Sequence, residues 1–292
     1  MRVAILGCGY VGLELGRQLQ AAGHEPVGVR RSASGIEAIE SAGFRGIRAD
    51  VTDADALGAV PDVDALVFAA SSGGRGADAA REIYVDGLRT VIETFGARES
   101  PPGRLVYTSS TGVYGDQAGD RVDEETPLDP GTEKTRVLVS AERVALEEAP
   151  DHGIEGTVAR FGGLYGPDRY RLERYLDGPV TAGYLNMVHR VDAAGAVRFL
   201  LEGDYARGEV VLAVDDEPVE KHAFADWLAA EAGRDPPPKQ SIEERLSGAD
   251  LSATARDRIR AQKRCSNAKL RGLGYTFTYP TFREGYREAL GA

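Results

Sequence analysis

Six residues near the start of the chain, Gly7-Cys8-Gly9-Tyr10-Val11-Gly12, constrain its fold more than any other feature. They follow an apolar run at residues 3–6 and precede a helix-patterned stretch at 13–22 that stops at Gly23. Three glycines at this spacing, between a strand and a helix, form the turn of a βαβ unit that holds a dinucleotide. Gly7 permits the tight turn, Gly9 lets the backbone approach a pyrophosphate, and Gly12 lets the helix pack closely on the strand. The first turn of that helix, with Tyr10 and Val11, then presents N–H groups and a favourable dipole to the phosphates.

The rest of the first half repeats the alternation. Strand-like runs at 26–29, 46–48, 65–70, 105–109 and 156–161 are separated by helical stretches that include 36–42, 79–95 and 137–148. Such alternation implies right-handed crossovers and a mostly parallel sheet. The expected fold is α/β, a Rossmann-type doubly wound parallel sheet with its ligand crevice at the carboxyl ends of the strands. Residues 1–165 are expected to form this dinucleotide-binding domain. Beyond Gly166 the pattern loosens, and 166–292 reads as a smaller C-terminal substrate lobe, with about 186–214 returning to the first domain. Within it a strand is expected at 210–214, a helix at 224–232, a proline-rich loop at 234–240 and a polar helix at 242–261. A short strand at 275–279 and a terminal helix at 282–290 complete the chain.

The formal net charge of −11 over 292 residues argues against nucleic acid and against anionic membrane surfaces as partners. The two cysteines, Cys8 and Cys265, make neither a CxxC motif nor a disulfide framework, which fits a reducing cytoplasm. No window approaches the roughly 20 continuous apolar residues of a membrane span. His24, His152, His189 and His222 lack metal-ligand spacing, so no metal is expected.

Cofactor choice rests on the end of the second strand. An Asp or Glu there would accept hydrogen bonds from the ribose hydroxyls of NAD. This chain has Arg30, Arg31 and Ser32 instead. Two guanidinium groups and a hydroxyl suit a 2′-phosphate through charge-assisted bonds, so NADP(H) is expected over NAD(H). Asp50 and Val51, after the third strand, are placed for the adenine amino group and ring. Ala69, Ala70 and Ser71 end the fourth strand and leave room for the cofactor backbone.

Several ordered segments resemble the extended short-chain dehydrogenase/reductase superfamily, the NAD(P)-dependent epimerase/dehydratase group. Arg104-Leu105-Val106-Tyr107-Thr108-Ser109-Ser110 with Val113-Tyr114-Gly115 is similar to its fifth strand and active-site serine segment. Arg160-Phe161-Gly162-Gly163-Leu164-Tyr165-Gly166-Pro167 and Asn186-Met187-Val188-His189-Arg190-Val191-Asp192 resemble two later segments. Tyr84-Val85-Asp86-Gly87 and the GxGxxG spacing point to an atypical branch. The resemblance places Thr108, Ser109 and Phe161 near the cofactor and Ser110 at the reacting oxygen. It also implies a homodimer, with 79–95 and 137–148 as the helices to pair.

One departure matters. Chemistry in this group uses a Tyr-x-x-x-Lys pair, and here the tyrosine position holds Lys134 and the lysine position Leu138. No tyrosine lies between Tyr114 and Tyr165. Tyr114, Lys134 and Tyr165 are left as proton-handling candidates by order alone. The expected function is an NADP(H)-binding epimerase, dehydratase or reductase acting on a carbonyl or nucleotide-sugar-like small molecule. Arg169, Arg171 and Arg174 leave an anionic substrate open. The alternative is a non-catalytic NADP(H)-binding sensor or regulatory module.

Overall fold

The computed structural model describes residues 1–73, 76–248 and 251–291. Two compact units emerge from the contacts. The first is assembled from Met1–Ser110, Glu133–Arg160 and Ala193–Val211, the second from Thr111–Thr132, Phe161–Asp192 and Leu212–Ala292. The chain thus passes between units more often than a boundary at 165 with one return would require.

The main sheet has seven strands: β1 (Arg2–Leu6), β2 (Glu25–Arg30), β3 (Arg45–Arg48), β4 (Ala65–Phe68), β5 (Arg104–Ser110), β6 (Glu155–Phe161) and β7 (Val210–Ala213). Their order is β3-β2-β1-β4-β5-β6-β7. β1 pairs in parallel with both β2 and β4. The winding therefore reverses beside β1, which opens a crevice at the carboxyl ends of β1 and β4. Helices cover both faces, so the central strands are apolar on both sides. Val3, Ala4, Ile5, Leu6, Leu66 and Phe68 are fully buried. One face packs Leu6, Phe68, Leu105 and Tyr107 against Leu88, Val91, Phe95, Val137 and Ala141.

The stretch expected as one helix at 79–95 is three pieces. An α-helix at Ala77–Arg81 passes into a π-helical turn at Glu82–Asp86 and resumes as an α-helix at Gly87–Gly96. The helix Glu133–Arg143 likewise ends in a π-helical turn, Val144–Glu148.

The second unit is built on short strand pairs and an aromatic core. Gly163–Tyr165 runs parallel to Met187–His189, and Tyr184–Leu185 antiparallel to Val219–Glu220. Tyr165, Tyr175, Phe224, Phe282 and Tyr286 pack together. The terminal helix, Phe282–Leu290, starts at a capping box of Thr281 and Glu284. Two expectations are corrected here. Residues 275–279 form no strand, because the Thr278 and Tyr279 N–H groups donate to the Asp192 carboxylate at 2.7 and 2.8 Å and not to a neighbouring strand. The polar stretch at 242–261 is two helices, Ile242–Ser247 and Ala253–Arg260, the second started by the Ser252 side chain. Residues 249 and 250 of that stretch lie outside the described residues.

Candidate functional site

The glycine loop closes the carboxyl end of β1. Gly7 has φ +81°, and a Cβ on it would lie 2.2 Å from the Ala70 Cα. Only glycine meets both demands. Gly9 precedes the helix Tyr10–Ala21, whose start has no side-chain cap and no acidic residue in its first turn. A Cβ on Gly12 would approach Ile5 Cγ2 to 3.0 Å, so this glycine sets the helix against the strand. Loop, helix start and small residues at the end of β4 form a backbone-lined cradle that fits a pyrophosphate.

Arg30 reaches over this cradle. Its Nη1 donates to the Cys8 carbonyl at 3.3 Å and would lie 2.7 Å from a Cβ on Gly9. Ser32 caps the helix Ala33–Ser41, its Oγ accepting the Gly35 N–H at 3.2 Å. Exposed Arg31 lies 3.6 Å from the Asp50 carboxylate, and Asp50 also accepts from the Thr52 N–H and hydroxyl. Arg30, Arg31 and Ser32 therefore gather at one helix N-terminus, beside Asp50. Val51 is only 7% exposed and belongs to the core, not to an open ring-stacking surface.

Cys8 sits inside the loop, 1% exposed. Burial pushes its thiol up to about 12, against the pull of the Arg30 charge.

At the end of β5, side chains alternate. Thr108 Oγ1 donates to the Phe68 carbonyl at 3.2 Å and ties β5 to β4. Ser109 points the other way and donates to Glu142 Oε1 at 2.6 Å. Glu142 accepts two bonds from Arg160, at 3.0 and 2.7 Å, and both side chains are about 5% exposed or less. Ser109 thus belongs to a buried structural network and does not face the crevice, because successive strand residues face opposite sides. Ser110 is half-buried at the strand end. Phe161 is 6% exposed at the end of β6.

Two of the three proton-handling candidates serve the second unit instead. The buried Tyr114 hydroxyl donates to the Asp123 carbonyl at 2.7 Å. Tyr165 is buried and stacked on Tyr286, and burial raises its hydroxyl pKa. Asp192 is a structural anchor, its carboxylate accepting the Thr278 and Tyr279 N–H groups.

A tyrosine that sequence order did not single out for chemistry lies among the site residues of the first unit. Tyr84, in the π-helical turn, accepts the Ser72 N–H at 3.3 Å and is 3.2 Å from the Ser72 Oγ. Burial opposes its ionisation, but hydrogen bonding to Ser72, with the proximity of Ser71 and the charge of Lys134, outweighs burial and holds it below the ordinary tyrosine range. The available signal was a hydroxyl on the buried side of a helical stretch, between Ala80 and Leu88, where a polar atom needs a partner.

A glycine cradle at the switch point of a doubly wound parallel sheet defines a dinucleotide-binding protein of the Rossmann class. The model of the NAD dependent epimerase/dehydratase family matches residues 3–207, and the chain belongs to that family. Its relatives include protein YeeZ of Escherichia coli K12, 32% identical over 248 residues, 81% of this chain and 85% of YeeZ. A conserved protein of unknown function from Silicibacter pomeroyi has a similar structure: TM-score 0.79, 26% identity, 99% of this chain and 98% of the other. The UDP-glucose 4-epimerase of Thermus thermophilus, solved with NAD, shares the fold at TM-score 0.76 and 20% identity, over 100% and 98% of the two chains.

Proposed function

We propose that this chain binds NADP(H) and uses it on a carbonyl or nucleotide-sugar-like small molecule, as a reductase, epimerase or dehydratase. One observation carries the cofactor choice. Arg30, Arg31 and Ser32 converge at the N-terminus of Ala33–Ser41, where a carboxylate would suit NAD. Two guanidinium groups beside a helix start favour a phosphate through charge and directed hydrogen bonds.

In this reading the backbone around Gly7, Gly9 and Gly12 would hold the pyrophosphate, and Arg30 and Arg31 the 2′-phosphate. Bound nicotinamide supplies or accepts a hydride. The chain's own work is to bind, orient and manage the proton. Two buried free thiols, Cys8 and Cys265, fit a reducing cytoplasm, and no helix is long and apolar enough to cross a membrane among the described residues.

Cofactor titration followed by fluorescence tests the proposal. NADPH should bind more tightly than NADH, and Arg30→Ala and Arg31→Ala should each weaken NADPH about tenfold or more while leaving NADH nearly unchanged. A preference of the native chain for NADH would overturn it. The second reading, a cofactor sensor without turnover, is favoured by the absent Tyr-x-x-x-Lys. Tight NADPH binding with no turnover across aldehydes, ketones and nucleotide sugars would support that reading.

A further inference from the structure

We propose that Tyr84 holds the proton used at this site, with Ser71 relaying it and Lys134 and Ser72 stabilising the phenolate it leaves. The proposal rests on the dinucleotide-dependent function above and supplies the group that the missing Tyr-x-x-x-Lys leaves open.

Position comes first. Ser71 and Ser72 directly follow Ala69 and Ala70, the backbone against which Gly7 closes. The Tyr84 hydroxyl therefore lies at the carboxyl end of β4, beside the dinucleotide cradle. A π-helical turn brings it there, and such one-turn irregularities concentrate at functional sites. That turn packs on the helix Glu133–Arg143, whose first turn carries the half-buried Lys134.

The hydroxyl's partners fit a proton-holding role. Ser72 is fully buried, and its N–H and hydroxyl both meet the Tyr84 oxygen. Donors aimed at a phenolic oxygen favour its ionised form. Ser71 is exposed, directly precedes Ser72 in the chain, accepts the Gly73 N–H through its Oγ at 3.4 Å, and acts on Tyr84 in the same direction as Ser72. One neighbour of Tyr84 is thus fixed inside, and the other opens outward.

Tyr107 provides the contrast. It too is buried, 1% exposed, on the adjacent strand β5, and it interacts electrostatically with Tyr84. Its hydroxyl has no hydrogen-bond partner among the described residues, and burial pushes its pKa up. Tyr107 fills space, whereas the Tyr84 oxygen is met by the Ser72 N–H and hydroxyl and feels the Lys134 charge. Lys134 and Tyr107 are the titratable groups that act on Tyr84 from the elements packed against it.

The proton balance closes. When a carbonyl carbon gains hydride from reduced nicotinamide, the C=O π pair moves onto the oxygen. That oxygen takes the Ser71 hydroxyl proton, and Ser71 takes the Tyr84 proton. The product is an alcohol, and the phenolate is reprotonated from water through Ser71. In reverse, the phenolate draws the alcohol proton through Ser71 as hydride leaves for oxidised nicotinamide.

Tyrosinate absorbance of the full chain, titrated without cofactor, gives a readout independent of turnover. Of the 12 tyrosines, one should ionise below the ordinary value of about 10. Tyr84→Phe should abolish that step, and Lys134→Met, a change on a half-buried helix start, should move it upward. In carbonyl reduction, Tyr84→Phe and Ser71→Ala should each lower kcat about 100-fold with NADPH affinity unchanged. Lys134→Met should shift the pH profile of kcat upward, and Lys134→Arg should restore it. A low-ionising tyrosine that survives Tyr84→Phe, no such tyrosine at all, or native kcat in Tyr84→Phe would overturn the proposal. With NADPH binding intact, those results sink the proton-holding role alone; failure of the native chain to bind any nicotinamide dinucleotide sinks the function beneath it.

Discussion

Gly7 and Ala70 touch through backbone atoms: a Cβ added to Gly7 would lie 2.2 Å from the Ala70 Cα and 2.3 Å from its nitrogen. Neither partner can yield, because each ends a central strand of the sheet. Gly7→Ala should therefore cost on the order of 3 kcal/mol, from left-handed backbone strain plus forced separation of the strand ends. Gly23 is the matched control, with the same φ of +81° and nothing within 4 Å of its notional Cβ. Gly23→Ala should cost only the backbone term, about 1 kcal/mol. Urea unfolding of the two variants measures the difference, and cofactor titration should show a loss for Gly7→Ala alone. Equal costs would mean that the close approach to Ala70 has no energetic consequence.

That contact also shows why the first unit was legible in the sequence. Gly7, Gly9 and Gly12 encode close backbone approaches, and Val3–Leu6, an apolar run ending at that glycine loop, reads as a strand buried on both faces. The π-helical turn at Glu82–Asp86 was not legible, since one extra residue in a helix leaves the apolar pattern almost unchanged. Residues 275–279 misled for a different reason. Their alternation of aromatic and polar side chains looks like a strand, yet Asp192, more than 80 residues earlier, takes the N–H groups that a strand would use. Ser109 and Ser110 are adjacent and alike in sequence, and only the facing of β5 sends one to Glu142.

Glu142 and Arg160 form a pair with both side chains about 5% exposed or less, and Ser109 completes the acceptor set of the carboxylate. Removing one charge from such a pair leaves the other buried without compensation, at a cost of about 3–5 kcal/mol. Arg160→Met and Glu142→Leu should each fall in that range. The double variant should recover most of the loss, since paired apolar groups carry no desolvation penalty. Ser109→Ala removes one hydrogen bond and should cost about 1–3 kcal/mol, without weakening NADPH binding. A double-mutant cycle in urea reads the coupling; additive losses would show that the two side chains do not act as a pair.

Asp215 should make stability depend on pH in the opposite sense to a salt-bridged carboxylate. It is 1% exposed, its Oδ2 has no hydrogen-bond partner among the described residues, and only a 3.3 Å bond from the Glu217 N–H supports Oδ1. Burial raises its pKa well above the usual range, and the charges of Glu217, Asp216 and Asp192 add to the rise. The folded state then holds a proton that the unfolded state releases near pH 4. Below that pH the acid is neutral in both states and costs nothing. Above it, stability falls as pH rises toward the folded pKa, because the unfolded state binds fewer protons. Asp215→Asn should raise Tm at pH 7 and leave it nearly unchanged at pH 3. A Tm gain of equal size at both values would assign the effect to packing and not to the proton.

Cys8 would be a reactive thiol if proximity to Arg30 and a helix start decided the matter, since positive potential favours thiolate. The structure sets a larger effect against that attraction. Cys8 is 1% exposed, enclosed by Gly12 and Gly28, and burial carries its pKa up to about 12 despite Arg30. Cys265, also 1% exposed, is pushed to about 12 by burial as well. At pH 8 an ordinary cysteine is about a quarter thiolate, whereas a pKa of about 12 leaves on the order of 1 part in 10,000. The native protein should therefore resist iodoacetamide over hours at pH 8 and take up two equivalents once unfolded in urea. Cofactor should change neither rate, because the thiol points into the helix–strand packing and not toward the cradle. Rapid labelling of Cys8 in the native protein, slowed by NADPH, would place the thiol at the cofactor face of the loop and overturn this arrangement.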